Sequence, residues 1–264
     1  MSHRRRALLV LAVGCGALAA VALAASPGLG PALKWVLASH AGLLGLVVVA
    51  AALADAVPLR DRLGLLPSRL GAGETLLCVI GLLCLSSAEF QIVEALDLLG
   101  RGSLGRIDQL IAQGRAANPW AVLLVLGLSA GLVEELAFRG FVQRMVAERW
   151  GNLVGILVAA LAFGAMHWDP VHSPAAAVMG VYLGTVAGIA GSVWPAVWCH
   201  IANNFFGVGL GLAAVQIAGP PTALGVPLLL LASLLCLGTV LRRRGLPPPP
   251  RESQSGCRPG ASGL

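Results

Sequence analysis

Three short groups of polar side chains interrupt otherwise apolar stretches in the second half of the chain. They are Glu134-Glu135-Leu-Ala-Phe-Arg139, Phe163-Gly-Ala-Met-His167 and His200-Ile-Ala-Asn-Asn204. Charged groups inside membrane-length apolar segments are costly and as a rule face a cavity or a partner. Glu135 and Arg139 stand four apart on one helix face, so they are expected to pair, which leaves Glu135 little capacity for proton transfer. Glu134 points about 100° away from its neighbour and meets no cation on its own helix. Its carboxylate is therefore the group suited to act as a general base; the competing reading makes both glutamates polar glue between helices. His200 and Asn204 also share a face. Together they either bind an oxyanion, position one another, or hydrogen-bond a neighbouring helix. His167 ends an apolar segment just before Trp168-Asp169-Pro170, where a lone histidine is as readily structural as chemical.

The elements that must hold these groups follow from composition. The chain has 264 residues, 57% hydrophobic and only 11% charged, against about 25% charged in soluble domains. Mean hydropathy is +0.84. One soluble core cannot bury that much apolar surface under so few charges, and disorder requires low hydrophobicity. An all-α, polytopic transmembrane helix bundle remains. Runs near the ~20 residues a spanning helix needs fall at 7–26, 33–57, 75–98, 119–142, 152–168, 174–190, 194–215 and 222–241, about eight spans. The first is expected to be a retained helix rather than a cleaved signal. The third, carrying Glu89, Glu94 and Asp97, is expected to bend into an interfacial helix through Arg101–Arg115. The region 89–117 is where the count is least secure.

The net charge is +6. Arg4–Arg6 and Arg242–Arg244 put both termini in the cytoplasm by the positive-inside rule, which an even number of spans satisfies. Arg60, Arg62, Arg69, Arg144 and Arg149 fall on the same side, whereas Arg101, Arg106 and Arg115 disagree. Basic residues in such a chain mark loops and lipid contact, not nucleic-acid binding. Cys15, Cys78, Cys84, Cys199 and Cys236 lie in apolar segments and Cys257 in a polar tail, with no CxxC pair; they read as small hydrophobes rather than disulfides or metal ligands. The organisation expected is N-terminal helices over 1–118, a motif-bearing core of four helices over 119–215, a last span over 216–245 and a disordered Pro-rich tail over 246–264.

Helix lengths suggest that the polar groups converge. Glu134 lies about 16 residues before the Trp150-Gly151 turn and His167 about 16 after it, each about 24 Å away. His200 lies about nine residues past Gly191-Ser192, about 13 Å in. If the helices around Trp150 project further into the cytoplasm, Glu134, His167, His200 and Asn204 share a pocket below the cytoplasmic surface.

EExxxR, FxxxH and HxxxN in this order on successive apolar segments resemble the CPBP family, the type II CAAX-prenyl-endopeptidase and bacteriocin-processing intramembrane proteases once called Abi. The resemblance covers about Pro119 to Val215, and no motif position departs from it. It implies hydrolysis of a peptide bond within the membrane by glutamate-activated water. Glu134 would be the base, His167 would position the water, and His200 with Asn204 would stabilise the oxyanion. Glu135, Arg139 and Phe163 would support the site. No cofactor is expected; if a metal is used, zinc on His167, His200 and Glu134 is the alternative, although no compact HExxH spacing is present. The expected partners are a membrane-anchored or lipid-modified protein substrate and the bilayer of a bacterial inner membrane. A peptide-binding scaffold or immunity protein and a proton-coupled transporter are the competing functions, the latter without an inverted repeat to support it.

Other polar positions are expected to matter less. His40 and Asp55 face other helices or the interface, and Ser129 and Cys199 are small packing residues. Asp169 and His172 are candidates for gating substrate entry. Trp194 and Trp198 fit an interfacial belt, and Gly180, Gly184, Gly188 and Gly191 fit close helix packing.

Overall fold

The structure is a computed structural model that describes residues 30–54, 57–214 and 224–246. The expected span 7–26, the tail beyond Leu246, and Cys15, Asp55 and Cys257 lie outside the described residues. Among the described residues there is no strand. The protein is all-α.

Helix α1 spans Pro31–Ala54 and the short α2 spans Leu59–Arg62; α3 spans Ala72–Ala95 and α4 Gly102–Ala117. Helix α5 runs unbroken over Pro119–Trp150, with π-helical stretches at Leu123–Ser129 and Leu136–Val142. Then come α6 (Asn152–Ala165), α7 (His172–Ala190), α8 (Trp194–Leu212) and α9 (Gly225–Arg244). Local chemistry sets the ends of α5. Asn118 accepts the Ala121 N–H through its side chain at 3.0 Å, and Pro119 occupies the first turn, where its missing N–H costs nothing. At the far end Gly151 takes φ 85°, and Gly191 similarly closes α7 in the left-handed region at φ 62°, a conformation glycine adopts without Cβ strain.

Helices α1, α3, α5, α7 and α9 are long and apolar enough to cross a membrane. The expected count of eight is therefore not reached among the described residues. Two expected spans differ for physical reasons. Helix α6 has 14 residues, about 21 Å of length, so the turn that follows it lies near the depth of Glu134 rather than beyond the bilayer. Helix α8 carries His200, Asn203 and Asn204, which lower its hydropathy. The uncertain region 89–117 resolves into the end of α3 and a separate α4, whose Ile107, Leu110 and Ile111 pack beside Val122, Val125 and Val208.

One end of the bundle collects Arg60, Arg62, Arg69, Arg144, Arg149 and Arg242–Arg244. There Arg62 pairs with Glu148 at 2.7 Å, Arg244 grips both oxygens of Glu74, and the Arg69 N–H donates to the Ala190 carbonyl at 3.0 Å. Trp150, Trp194 and Trp198 are exposed toward this end, Trp35 and Trp120 toward the other. Leu153, Leu157 and Leu161 of α6 and Leu228, Leu231, Leu234 and Leu235 of α9 are exposed, as suits helix faces turned to lipid. The core that positions the polar groups lies inside: Val47 and Ala51 of α1 pack with Ala137 and Phe138 of α5, Phe163 of α6 and Ala176 of α7.

Candidate active site

The two carboxylates of α5 are both buried, Glu134 at 8% exposure and Glu135 at 0%. Their surroundings differ. Glu135 Oε1 accepts from Arg139 Nη1 at 2.6 Å and faces His200 Nδ1 at 2.7 Å, so it is an ion-paired hub. Arg139 also donates to the Gly180 carbonyl at 3.3 Å and lies 4.5 Å over the Phe163 ring, a cation–π contact. Among the described residues Glu134 has no arginine partner within salt-bridge reach. Its Oε1 lies 3.5 Å from His40 Nε2 and its Oε2 lies 3.8 Å from His200 Nε2. The second distance is too long for a direct hydrogen bond.

Close helix approach makes these contacts possible. A Cβ on Gly131 would stand 2.9 Å from the Ile201 backbone nitrogen, so only glycine lets α5 and α8 come near enough for His200 to reach Glu135. A Cβ on Gly180 would meet the Ala160 backbone at 2.9 Å, and one on Gly184 would meet Ile156 at 3.1 Å. That glycine row seats α7 on α6.

The histidine tautomers follow from their partners. His167 Nδ1 lies 2.9 Å from the Phe163 carbonyl. A carbonyl only accepts, so Nδ1 carries the proton and the neutral ring leaves Nε2 as an acceptor. Phe163 stands between the two motif imidazoles, its ring 5.1 Å from His167 and 5.9 Å from His200, edge-on to both. Beyond His167, the His172 ring lies 4.2 Å away, and His172 Nδ1 is 3.0 Å from Ser103 Oγ of α4. Asp169 builds the turn between α6 and α7. It accepts the N–H groups of Val171, His172 and Ser103 at 3.0, 2.8 and 2.7 Å. Those donors hold its carboxyl well below the usual range, at about 2.

The structure thus brings Glu134, Glu135, Arg139, Phe163, His167 and His200 into one neighbourhood. Asn204 stands one turn further along α8, donating its Nδ2 to the Leu126 carbonyl at 3.2 Å, inside the first π-helical stretch of α5. Cys199 is fully buried in the apolar core. Two residues with no role assigned from the sequence join the site: His40, from α1, and Ser129, whose Oγ is 3.0 Å from His40 Nδ1. Among the described residues no three His, Cys, Asp or Glu side chains are grouped so that they could hold a metal ion.

No curated protein and no solved structure matches the chain. Residues 116–206, which carry all three motifs, match the family model described as Type II CAAX prenyl endopeptidase Rce1-like, and over that segment the chain is similar to this family.

Proposed function

We propose that this integral membrane protein is an intramembrane endopeptidase in which Glu134 activates water against a peptide bond of a membrane-anchored or lipid-modified substrate. The observation carrying the reading is a buried carboxylate that has no arginine or lysine partner among the described residues while imidazole Nε2 atoms from two other helices face its two oxygens. Its neighbour Glu135 absorbs the arginine instead. The Rce1-like family is a protease family, and its prenylated or membrane-anchored substrates are of a kind with this proposal.

In the proposed reaction Glu134 takes one proton from water as the water oxygen bonds to the carbonyl carbon. His167 Nε2, the acceptor left by the Phe163 carbonyl, receives the hydrogen bond of the second water proton. The carbonyl electron pair moves to oxygen, where His200 Nε2–H and the remaining Asn204 N–H stabilise it. For His200 to donate from Nε2 while Nδ1 faces Glu135, the ring must be imidazolium, and Glu135 is its counter-charge. The C–N bond then breaks, and Glu134 returns its proton to the leaving nitrogen. No metal enters the proposed steps. The catalytic unit is taken as residues 119–215, and the arginine-rich end of the bundle as the cytoplasmic one, by the positive-inside rule.

The test uses full-length protein in phosphatidylethanolamine–phosphatidylglycerol vesicles. Two dye–quencher probes are offered, one with a farnesylated cysteine three residues from its C-terminus and one with an unmodified transmembrane segment. Glu134→Gln should lower kcat by about 10²–10⁴-fold while the protein stays folded and inserted. Full activity in that variant, or no cleavage of either probe by the wild type, overturns the reading.

A further inference from the structure

His40 lies in the middle of an apolar helix, outside the family-matched segment, and is 8% exposed. A histidine so placed is costly unless its nitrogens are engaged. Both are. Nδ1 is 3.0 Å from Ser129 Oγ and Nε2 is 3.5 Å from Glu134 Oε1. The ring therefore spans two residues five apart on α5, across the junction where the π-helical stretch Leu123–Ser129 gives way to Ala130–Glu135.

The hydroxyl decides which way the ring donates. With the Ser129 hydroxyl donating to Nδ1, the neutral imidazole carries its proton on Nε2, aimed at the Glu134 carboxylate. The two oxygens of Glu134 are then distinguished. Oε1 faces a ring anchored on α1 at ion-pair distance, and Oε2 faces the 3.8 Å gap to His200, the place where a water can be received. A carboxylate without this anchor is free to turn about its last side-chain bond, and each wrong orientation removes the acceptor from the water.

We propose that His40 is a positioning residue for the general base, with Ser129 fixing its tautomer, so that Glu134 presents Oε2 to the attacking water. This inference rests on the protease reading above. It makes α1, which no motif marks, part of the working site. It also predicts that the family-matched segment alone holds an unanchored base.

The test measures kcat and KM separately for the full-length protein with the same two vesicle-borne probes. His40→Ala should lower kcat about 10- to 100-fold, the scale of a displaced reacting group, with KM within about twofold of wild type. Two near-isosteres separate positioning from packing. Gln places an amide nitrogen near the imidazole Nε2 and should recover part of kcat. Asn reaches only as far as Nδ1, toward Ser129, and should not. Ser129→Ala should lose less than His40→Ala, and the double variant should be no slower than His40→Ala alone, since the hydroxyl acts through the ring. If His40→Ala does not fold, the Gln, Asn and Ser129→Ala comparisons still decide. Wild-type kcat in any folded His40→Ala preparation, equal rates for Gln and Asn, or a loss confined to KM overturns the proposal while leaving the Glu134 reading intact. An inactive wild type overturns both.

Discussion

His200 Nδ1 and Arg139 Nη1 meet on the same oxygen, Glu135 Oε1, at 2.7 and 2.6 Å. The imidazole of α8 is thereby oriented by an ion pair of α5, with all three side chains shielded from solvent. Removing one partner of such a buried pair leaves the other charge without compensation, which costs about 3–5 kcal/mol. Glu135→Leu and Arg139→Leu should each lower thermal stability strongly in detergent micelles. The double Leu variant should regain much of the loss and stay inactive, because His200 has lost its anchor. Equal stability of single and double variants would contradict the hub.

Gly131 gives a steric route to the same contact. Its absent Cβ would sit 2.9 Å from the Ile201 backbone nitrogen, and a backbone atom cannot move aside as a side-chain tip can. Gly131→Ala should push α8 from α5, destabilise the fold by about 1–3 kcal/mol and depress cleavage. Gly42→Ala is the control. Nothing lies within 4 Å of its Cβ, and alanine in a helix interior gains about 0.5–1 kcal/mol over glycine. Gly131→Ala should lower both the unfolding temperature and turnover, whereas Gly42→Ala should raise the unfolding temperature and leave turnover unchanged.

Asn204 tests the oxyanion assignment. The amide has two N–H groups, and the bond to the Leu126 carbonyl engages one. Asn204→Asp removes both donors at nearly constant volume. The expected result is a drop in kcat of about 10²–10³-fold, the scale of losing one oxyanion donor, with KM little changed. A purely structural amide would instead show as lowered thermal stability at unaltered kcat.

Much of this arrangement was legible before any coordinates, and the boundary of legibility has physical causes. The Glu135–Arg139 pair follows from helical spacing alone, because both partners lie on one element. So does the all-α membrane class, which composition dictates. His40 was not legible as a site residue. A single histidine in a long apolar helix reads the same whether it faces lipid, a neighbouring helix or a carboxylate 94 positions away, and only the packing of α1 on α5 decides. Its membrane depth was the one available signal, since ionisable groups there default to function. In the sequence Ser129 reads as packing because a hydroxyl carries no pattern. The span count of about eight is not confirmed at α6 and α8, where a length threshold meets a short helix and a hydropathy threshold meets the polar groups that matter most.

Asp169 supplies a pH dependence whose sign can be worked through. Three backbone N–H groups point at its carboxylate, and its pKa falls from 3.8 to about 2. Between those values the unfolded chain binds more protons than the folded one, so stability rises with pH through that window. The contribution is fully present above about pH 4 and disappears as pH falls through about 2. The local consequence concerns α4, which the Ser103 N–H ties to the α6–α7 turn beside His167. Amide exchange at Ser103, Val171 and His172, corrected for intrinsic rates, should report stronger protection at pH 4.5 than at pH 2.5. Asp169→Ala should remove that difference, because its turn has no carboxylate to titrate. Protection that is independent of pH in the wild type would mean the three N–H groups are held by something other than Asp169.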